Sequence, residues 1–461
     1  MSISGAFIVP HPPIIMPQVG RGEEKKIQKT TDAYREAAHM IRDLKPDTII
    51  LTSPHSIMYS DYFHISPGIS AKGDLAQFRA PHASVSVQYD TEFVSALEKE
   101  AEKEGLRAGT QGEKDTALDH ATVVPLSFIN EQYTGYKLVR IGLSGLPVSD
   151  HYRLGMCIKK IAERSKKNIV FVASGDLSHR VTEEGPYGYA KEGPMFDKSV
   201  TDAMAQGDFL KFMTFDPNFT EKAAECGLRS FIIMAGALNG QDVDAHLLSY
   251  EGTFGVGYAV ASFIPKGADP KREYLKVFLE KETAKLKKLK ENEDEYVRLA
   301  RYSIEYYVRN HKTAKLPDIL SDELLVRKAG VFVSLKKNGV LRGCIGTISP
   351  VAPSIALEIL NNAVSACAYD PRFDPVREDE LDELVYDVDV LSEAEPIESQ
   401  AMLDVKRYGV IVTSGYKRGL LLPDLEGVDS VEQQISIAIQ KAGIKKGEPY
   451  KLERFEVTRH I

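Results

Sequence analysis

Apolar residues follow two different rhythms along this 461-residue chain, and the change of rhythm predicts two domains. In the first half, short and mainly apolar runs at 5–9, 48–52, 137–143, 169–173 and 257–264 alternate with stretches of helical spacing. Runs of this kind are strands buried on both faces, as in a parallel sheet. Ile27, Tyr34, Ala37, Ala38, Ile41 and Leu44 mark one helix, which Pro46 ends. Further helices are predicted over 91–105, 150–164 and 221–238. The repeated strand-then-helix order implies an α/β domain whose mainly parallel or mixed sheet is covered by helices.

The rhythm breaks at Pro265-Lys266-Gly267-Ala268-Asp269-Pro270, and 271–295 is dense in Lys and Glu, as a solvated helix is. Beyond it a helix carries Tyr296, Leu299, Ala300, Ile304 and Tyr307 on one face. Runs at 331–335 and 340–344 flank Asn338-Gly339, a type I′ hairpin signal. Strands follow at 385–391, 409–413 and 419–422, then a helix capped by Asp429 and stopped before Gly443. The expected organisation is an α/β domain over 1–265, a charged helical linker over 266–294 and an α+β domain over 295–461. A chain of this length exceeds what one core holds.

Composition narrows the class. With 43% hydrophobic and 27% charged residues the chain reads as soluble and globular. A net charge of −8 lacks the basic footprint of a nucleic-acid binder. No apolar run approaches the roughly 20 residues that span a bilayer, so no membrane partner is expected. The first residues show no basic stretch followed by an apolar one, hence no signal peptide. Cys157, Cys226, Cys344 and Cys367 form neither a CxxC pair nor a disulfide framework, which fits a reducing cytoplasm.

Candidate chemistry lies at the strand ends. His11, His55 and His179 each follow a predicted strand, and open α/β sheets place ligand sites beyond the carboxyl ends of such strands. A single buried histidine is more often a satisfied core residue, but several at strand ends would converge. Two imidazoles and one carboxylate can hold a divalent cation and leave one face open. Glu225 sits among Ala223, Ala224, Leu228, Phe231 and Ile232, where a lone carboxylate is costly unless paired or metal-bound.

The segments Val9-Pro10-His11-Pro12-Pro13, Ser53-Pro54-His55-Ser56, Ser174-Gly175-Asp176-Leu177-Ser178-His179 and Ala224-Glu225-Cys226-Gly227, with Asp119-His120-Ala121-Thr122, resemble the LigB-type class III extradiol ring-cleavage dioxygenases. That superfamily also contains the Memo proteins, and the resemblance covers the first domain. It implies His11, His55 and Glu225 as metal ligands, His179 as catalytic base and His120 as a second active-site histidine. It further implies Fe(II), with Zn or Cu as the alternative, and a small aromatic diol and O2 as substrates. Asp176 is expected either to orient His179 or to cap a helix. Memo-like relatives can place a cysteine near the carboxylate position, and here Glu225 and Cys226 adjoin. Neighbouring helical residues point about 100° apart, so only one of them faces a metal. Glu225 is the expected ligand. Cys226 is the alternative, and a thiolate there would favour a Zn or Cu hydrolase or redox protein. His82, Tyr187 and Tyr189 either line the pocket or lie in exposed loops.

In the second half, Leu341-Arg342-Gly343-Cys344-Ile345-Gly346, with Asp370-Pro371-Arg372 downstream, is similar to the AMMECR-type domain. The resemblance implies a place in the prokaryotic AmmeMemoRadiSam grouping, with a radical S-adenosylmethionine protein as partner. On that view the chain is an enzyme or a non-catalytic component of such a system. A homo-oligomer is the expected state. Arg342 can pair a carboxylate or phosphate, and Cys344 is either part of a strand-end turn or a ligand site.

Overall fold

Six strands form the central sheet of the first half, in the spatial order Lys137–Gly142, Thr48–Ser53, Ile169–Ser174, Ile3–Val9, Tyr258–Ala268 and Gln241–Glu251. The first four run parallel and the last two antiparallel, so the sheet is mixed. The computed structural model describes residues 3–114, 117–425 and 427–461, and the chain divides into two units, 1–281 and 282–461. Thr48–Ser53 and Ile169–Ser174 are buried at every position, which is why they read as continuous apolar runs. One core joins the sheet to helices Gln28–Leu44 and His120–Asn130 through residues such as Tyr34, Ile41 and Phe128. The other joins the opposite face to Thr91–Lys103, Val148–Arg164 and Leu228–Ala237. The result is a three-layer α/β arrangement.

Three elements differ from the sequence expectation. The edge strand Gln241–Glu251 carries Asp242, Asp244 and His246, and its polar alternation concealed it. The loop-rich stretch before Tyr89 contains a hairpin of Ser70–Leu75 and Ala80–Gln88. The helix predicted over 221–238 is two helices, Pro217–Ala223 and Leu228–Ala237, separated by a turn in which Ala224 takes a φ of 53°.

The division between the units falls within the helix Tyr274–Asn292, which buries none of its residues. The second unit is built on an antiparallel sheet, in the order Val340–Gly346, Val331–Lys337, Leu384–Leu391, Lys451–His460, Tyr408–Ser414 and Lys417–Leu421. Asn338 and Gly339 both take positive φ, as the I′ turn requires. Helices Glu295–Asn310 and Ile355–Ala368 pack on one part of the sheet and Val431–Ala442 on another. Ser430, not Asp429, caps that last helix. Among the described residues no helix is long and apolar enough to cross a membrane.

Candidate metal centre

Ile3–Val9, Ile169–Ser174 and Thr48–Ser53 are adjacent parallel strands, so the segments leaving their carboxyl ends meet. His11 Nε2 and His55 Nε2 stand 3.1 Å apart. His11 is buried, and its Nδ1 lies 3.0 Å from Ser174 Oγ. That hydroxyl donates its own proton to Ala121 O at 2.7 Å, so it accepts from His11 Nδ1–H. The network thereby assigns the tautomer, leaving the Nε2 lone pair directed at His55. A proton on His55 Nε2 can satisfy that lone pair, and a cation can replace the proton. The backbone N–H of His11 donates to Asp176 Oδ1 at 2.8 Å, holding the loop in place.

The third donor is Cys226. Its Sγ lies 3.7 Å from His11 Nε2 and receives the Asp176 N–H at 3.3 Å. The two imidazole nitrogens and the sulfur all fall within 4.8 Å of one another. Atoms sharing one cation at about 2.0–2.3 Å sit about 3.3–3.6 Å apart, and the 3.1 and 3.7 Å separations made by His11 Nε2 lie close to that range. His55 is exposed, which leaves that side of the cluster open.

Glu225, the ligand expected from the sequence, stands outside this cluster. Its Oε2 accepts the Leu228 N–H at 2.7 Å and so serves the first turn of Leu228–Ala237. The cause is the broken helix. A Cβ on Gly175 would meet Gly227 Cα at 2.2 Å, so the 174–176 and 225–227 loops touch backbone to backbone. That contact, with the Ala224 turn, replaces helical phase with a loop geometry that aims Cys226 inward. Burial pushes the Glu225 carboxyl up to about 7. Burial, followed by the Asp176 carboxylate, pushes the Cys226 thiol well above its usual range. A bound cation would reverse the preference of the thiol.

His120 and His179 border the same site. The His120 ring centroid lies 4.4 Å from that of His55 and 5.5 Å from that of His11. His120 opens the helix His120–Asn130, whose cap is Asp119, and Phe78 packs edge-on against it. His179 stacks on Tyr187 at 5.2 Å. Burial, then the proximity of His55, lowers both His120 and His179 to about 4, so both are neutral near pH 7. Burial, then His55, His120 and His179 in that order, holds His11 well below its usual value. A cavity of about 560 Å³ opens beside the cluster, lined by His55, Lys72, Asp74, Gln77, Phe78 and His120. His82 is exposed on Ala80–Gln88 and lines neither cluster nor cavity, and Tyr189 is exposed. Asp176 caps no helix, and its carboxylate holds His11, not His179. Ser174 and Asp119 were missed; the signal available was their position at the end of a strand and directly before His120.

In the second unit Cys344 lies on the edge strand Val340–Gly346. Its N–H donates to Asp370 Oδ2 at 2.9 Å, and its carbonyl accepts from Arg372 Nη2 at 3.1 Å. Asp370 and Arg372 thus stand where a neighbouring strand would, closing the edge. Ser334 Oγ donates to Cys344 Sγ at 3.2 Å. Arg342 forms a two-pronged pair with Glu380, both arms at 3.0 Å.

Residues 5–261 match the family described as the catalytic LigB subunit of aromatic ring-opening dioxygenase, and 297–460 match AMMECR1. The protein CA_C1420 of Clostridium acetobutylicum is 42% identical over 479 residues, spanning 100% of this chain and 99% of that one. A Thermotoga maritima protein is 51% identical over 170 residues, covering 36% of this chain and 98% of its own length. The structure of PH0010 from Pyrococcus horikoshii, 35% identical, covers 36% of this chain and 88% of its own with a TM-score of 0.34. A match over residues 5–261, helix break and histidine loops included, makes this chain a member of the LigB family that carries an AMMECR1 domain behind its LigB domain.

Proposed function

We propose that the LigB unit is a metal-dependent oxidoreductase acting on a small aromatic diol, with Fe(II) held by His11, His55 and Cys226. The convergence of two imidazole nitrogens and one thiol, with the His55 side open, supports a metal-dependent centre, and the choice of iron and an aromatic diol rests on the match to the aromatic ring-opening dioxygenase family. Three protein donors and a free side are the mark of a catalytic centre, whereas structural sites are closed by a fourth. Bound there, ferrous iron supplies the one-electron chemistry that couples an electron-rich ring to dioxygen. The protein supplies the rest. Ser174 and Asp176 fix His11, and the loop contact at Gly175 and Gly227 fixes Cys226. His179, neutral near pH 7, takes a hydroxyl proton from the substrate onto its imidazole nitrogen and can return it to the product. His120 lies between the cluster and the cavity, where its ring nitrogen can hold a hydrogen bond to the substrate.

Cys226 itself favours a second reading. A thiolate in the carboxylate position suits Zn or Cu, and the same pocket would then serve hydrolytic or redox chemistry. The two readings are separated by elemental analysis of anaerobically purified protein, followed by oxygen uptake with Fe(II) across a panel of catechols. We expect iron-dependent ring opening in the parent, with His179→Ala retaining metal and losing turnover. Copurified Zn or Cu together with no oxygen uptake on any catechol would transfer the assignment to the second reading.

A further inference from the structure

Arg140 is the largest side chain buried completely among the described residues, at 1% exposure. It stands in Lys137–Gly142, the edge strand next to Thr48–Ser53. A guanidinium is costly to bury unless its donors are met, and here Nε and Nη1 reach two different segments. Nε donates to Ser66 Oγ at 2.6 Å, and Nη1 donates to Ala117 O at 2.7 Å and lies 3.5 Å from Asp119 Oδ2. Asp119 then works in two directions. Its carboxylate accepts the Thr122 N–H and hydroxyl, both at 3.0 Å, which caps the helix beginning at His120. It also accepts Ser53 Oγ–H at 2.7 Å, and Ser53 Oγ accepts the His55 N–H at 3.2 Å.

We infer that Arg140 is a positioning residue for the metal centre, acting through Asp119 and Ser53 on the backbone of His55 and on the helix end that bears His120. The two imidazoles come from different segments, one after a strand and one opening a helix, and this chain is what ties those segments together. Their ring centroids stand 4.4 Å apart with planes 30° from each other. The planar fork of arginine spans Ser66, Ala117 and Asp119 at once, which a lysine ammonium cannot. The inference rests on the reading that His55 is a metal ligand.

The test is a double-mutant cycle on the full chain, reading Zn(II) affinity by competition, the Co(II)–thiolate absorption band and the melting temperature. Arg140→Lys and Ser53→Ala should each weaken Zn(II) binding about 10-fold, the usual effect of losing a group behind a ligand. The double variant should be weakened about 10-fold as well, because both changes cut one chain of contacts. The Co(II)–thiolate band should persist, since Cys226 is held independently. Additive losses of about 100-fold, or no loss from Ser53→Ala, would overturn the inference. If Arg140→Lys does not fold, Asp119→Asn with Ser53→Ala decides: unchanged affinity in that pair shows that the chain of contacts carries nothing. His55→Ala separates the two levels, because parent-like affinity there would remove His55 as a ligand. Metal loss in His55→Ala with no effect at Ser53 would sink the role of Arg140 alone.

Discussion

Cys226 and Cys344 are both half-exposed, each beside a glycine, yet the groups around them differ in kind. Around Cys226 the Asp176 N–H donates to the sulfur at 3.3 Å, and the thiol faces Asp176 O and His11 Nε2, each at 3.7 Å. Around Cys344 the charged groups turn to the backbone: Asp370 and Arg372 take the N–H and carbonyl, and Arg342 is occupied by Glu380. The lesson is that motif density does not locate a site. The segment 341–346 is the denser sequence signature, but its polar residues finish a sheet edge. The sparser segment at 224–227 brings its thiol to two imidazoles.

The largest effect that would break this comparison concerns the metal. Cys226→Ala should lower metal affinity by at least about 100-fold, beyond the range of second-layer changes, while Cys344→Ala should leave it unchanged. Metal content after dialysis against a weak chelator reads both, and equal loss in the two variants would erase the distinction. The glycines come next. A Cβ on Gly175 would meet Gly227 Cα at 2.2 Å, and one on Gly343 would meet Ala366 O at 2.3 Å. Each alanine substitution should cost about 1–3 kcal/mol in denaturant unfolding, as overpacking does. Only Gly175→Ala should also weaken metal binding, because only that contact aims a donor. A matching metal defect in Gly343→Ala would show that the two close approaches serve the same end.

The smallest effect is a pH dependence behind the first site. His151 is buried with Nδ1 on Pro147 O at 3.0 Å, and burial lowers it to about 3. Its ordinary value in the unfolded chain is 6.5, so the unfolded state takes up the proton first. Stability is therefore complete above that value and is lost as pH falls toward the folded one. His151→Asn should destabilise the protein at about pH 7.5 and narrow its deficit against the parent by a few degrees of melting temperature at about pH 5. A deficit that stays constant with pH would mean that His151 is not held neutral.

Much of the site was legible because strand ends are legible. His11, His55 and His179 follow runs apolar enough to read as buried strands, whereas the cap that Asp119 forms before His120 emerges only with the helix in place. The choice between Glu225 and Cys226 was not legible from spacing. The stretch 221–238 fits one helix, and the Ala224 turn with the contact between Gly175 and Gly227, 52 positions apart in the numbering, breaks it. Arg140 was hidden for the same reason. An arginine in Lys137–Gly142 reads as a solvent-facing residue until Ser66, Ala117 and Asp119 are seen around it. Tertiary contacts set both, and local periodicity cannot report them.

The side chains of the candidate metal centre are scattered: His55 follows His11 by 44 positions, and Cys226 by 215. No short stretch of the nascent chain contains a binding site, so a cation cannot template this fold as it does in a zinc finger. On the proposed reading, loading would come after folding. The identity of the ion then depends on the pool that the finished protein meets, because a nitrogen and sulfur donor set ranks first-row metals in the same general order wherever it occurs. For such a centre, metal selection is a property of supply and compartment as much as of sequence. If the centre binds metal as proposed, recombinant protein should therefore carry the signature of its host's metal economy until it is stripped and refilled.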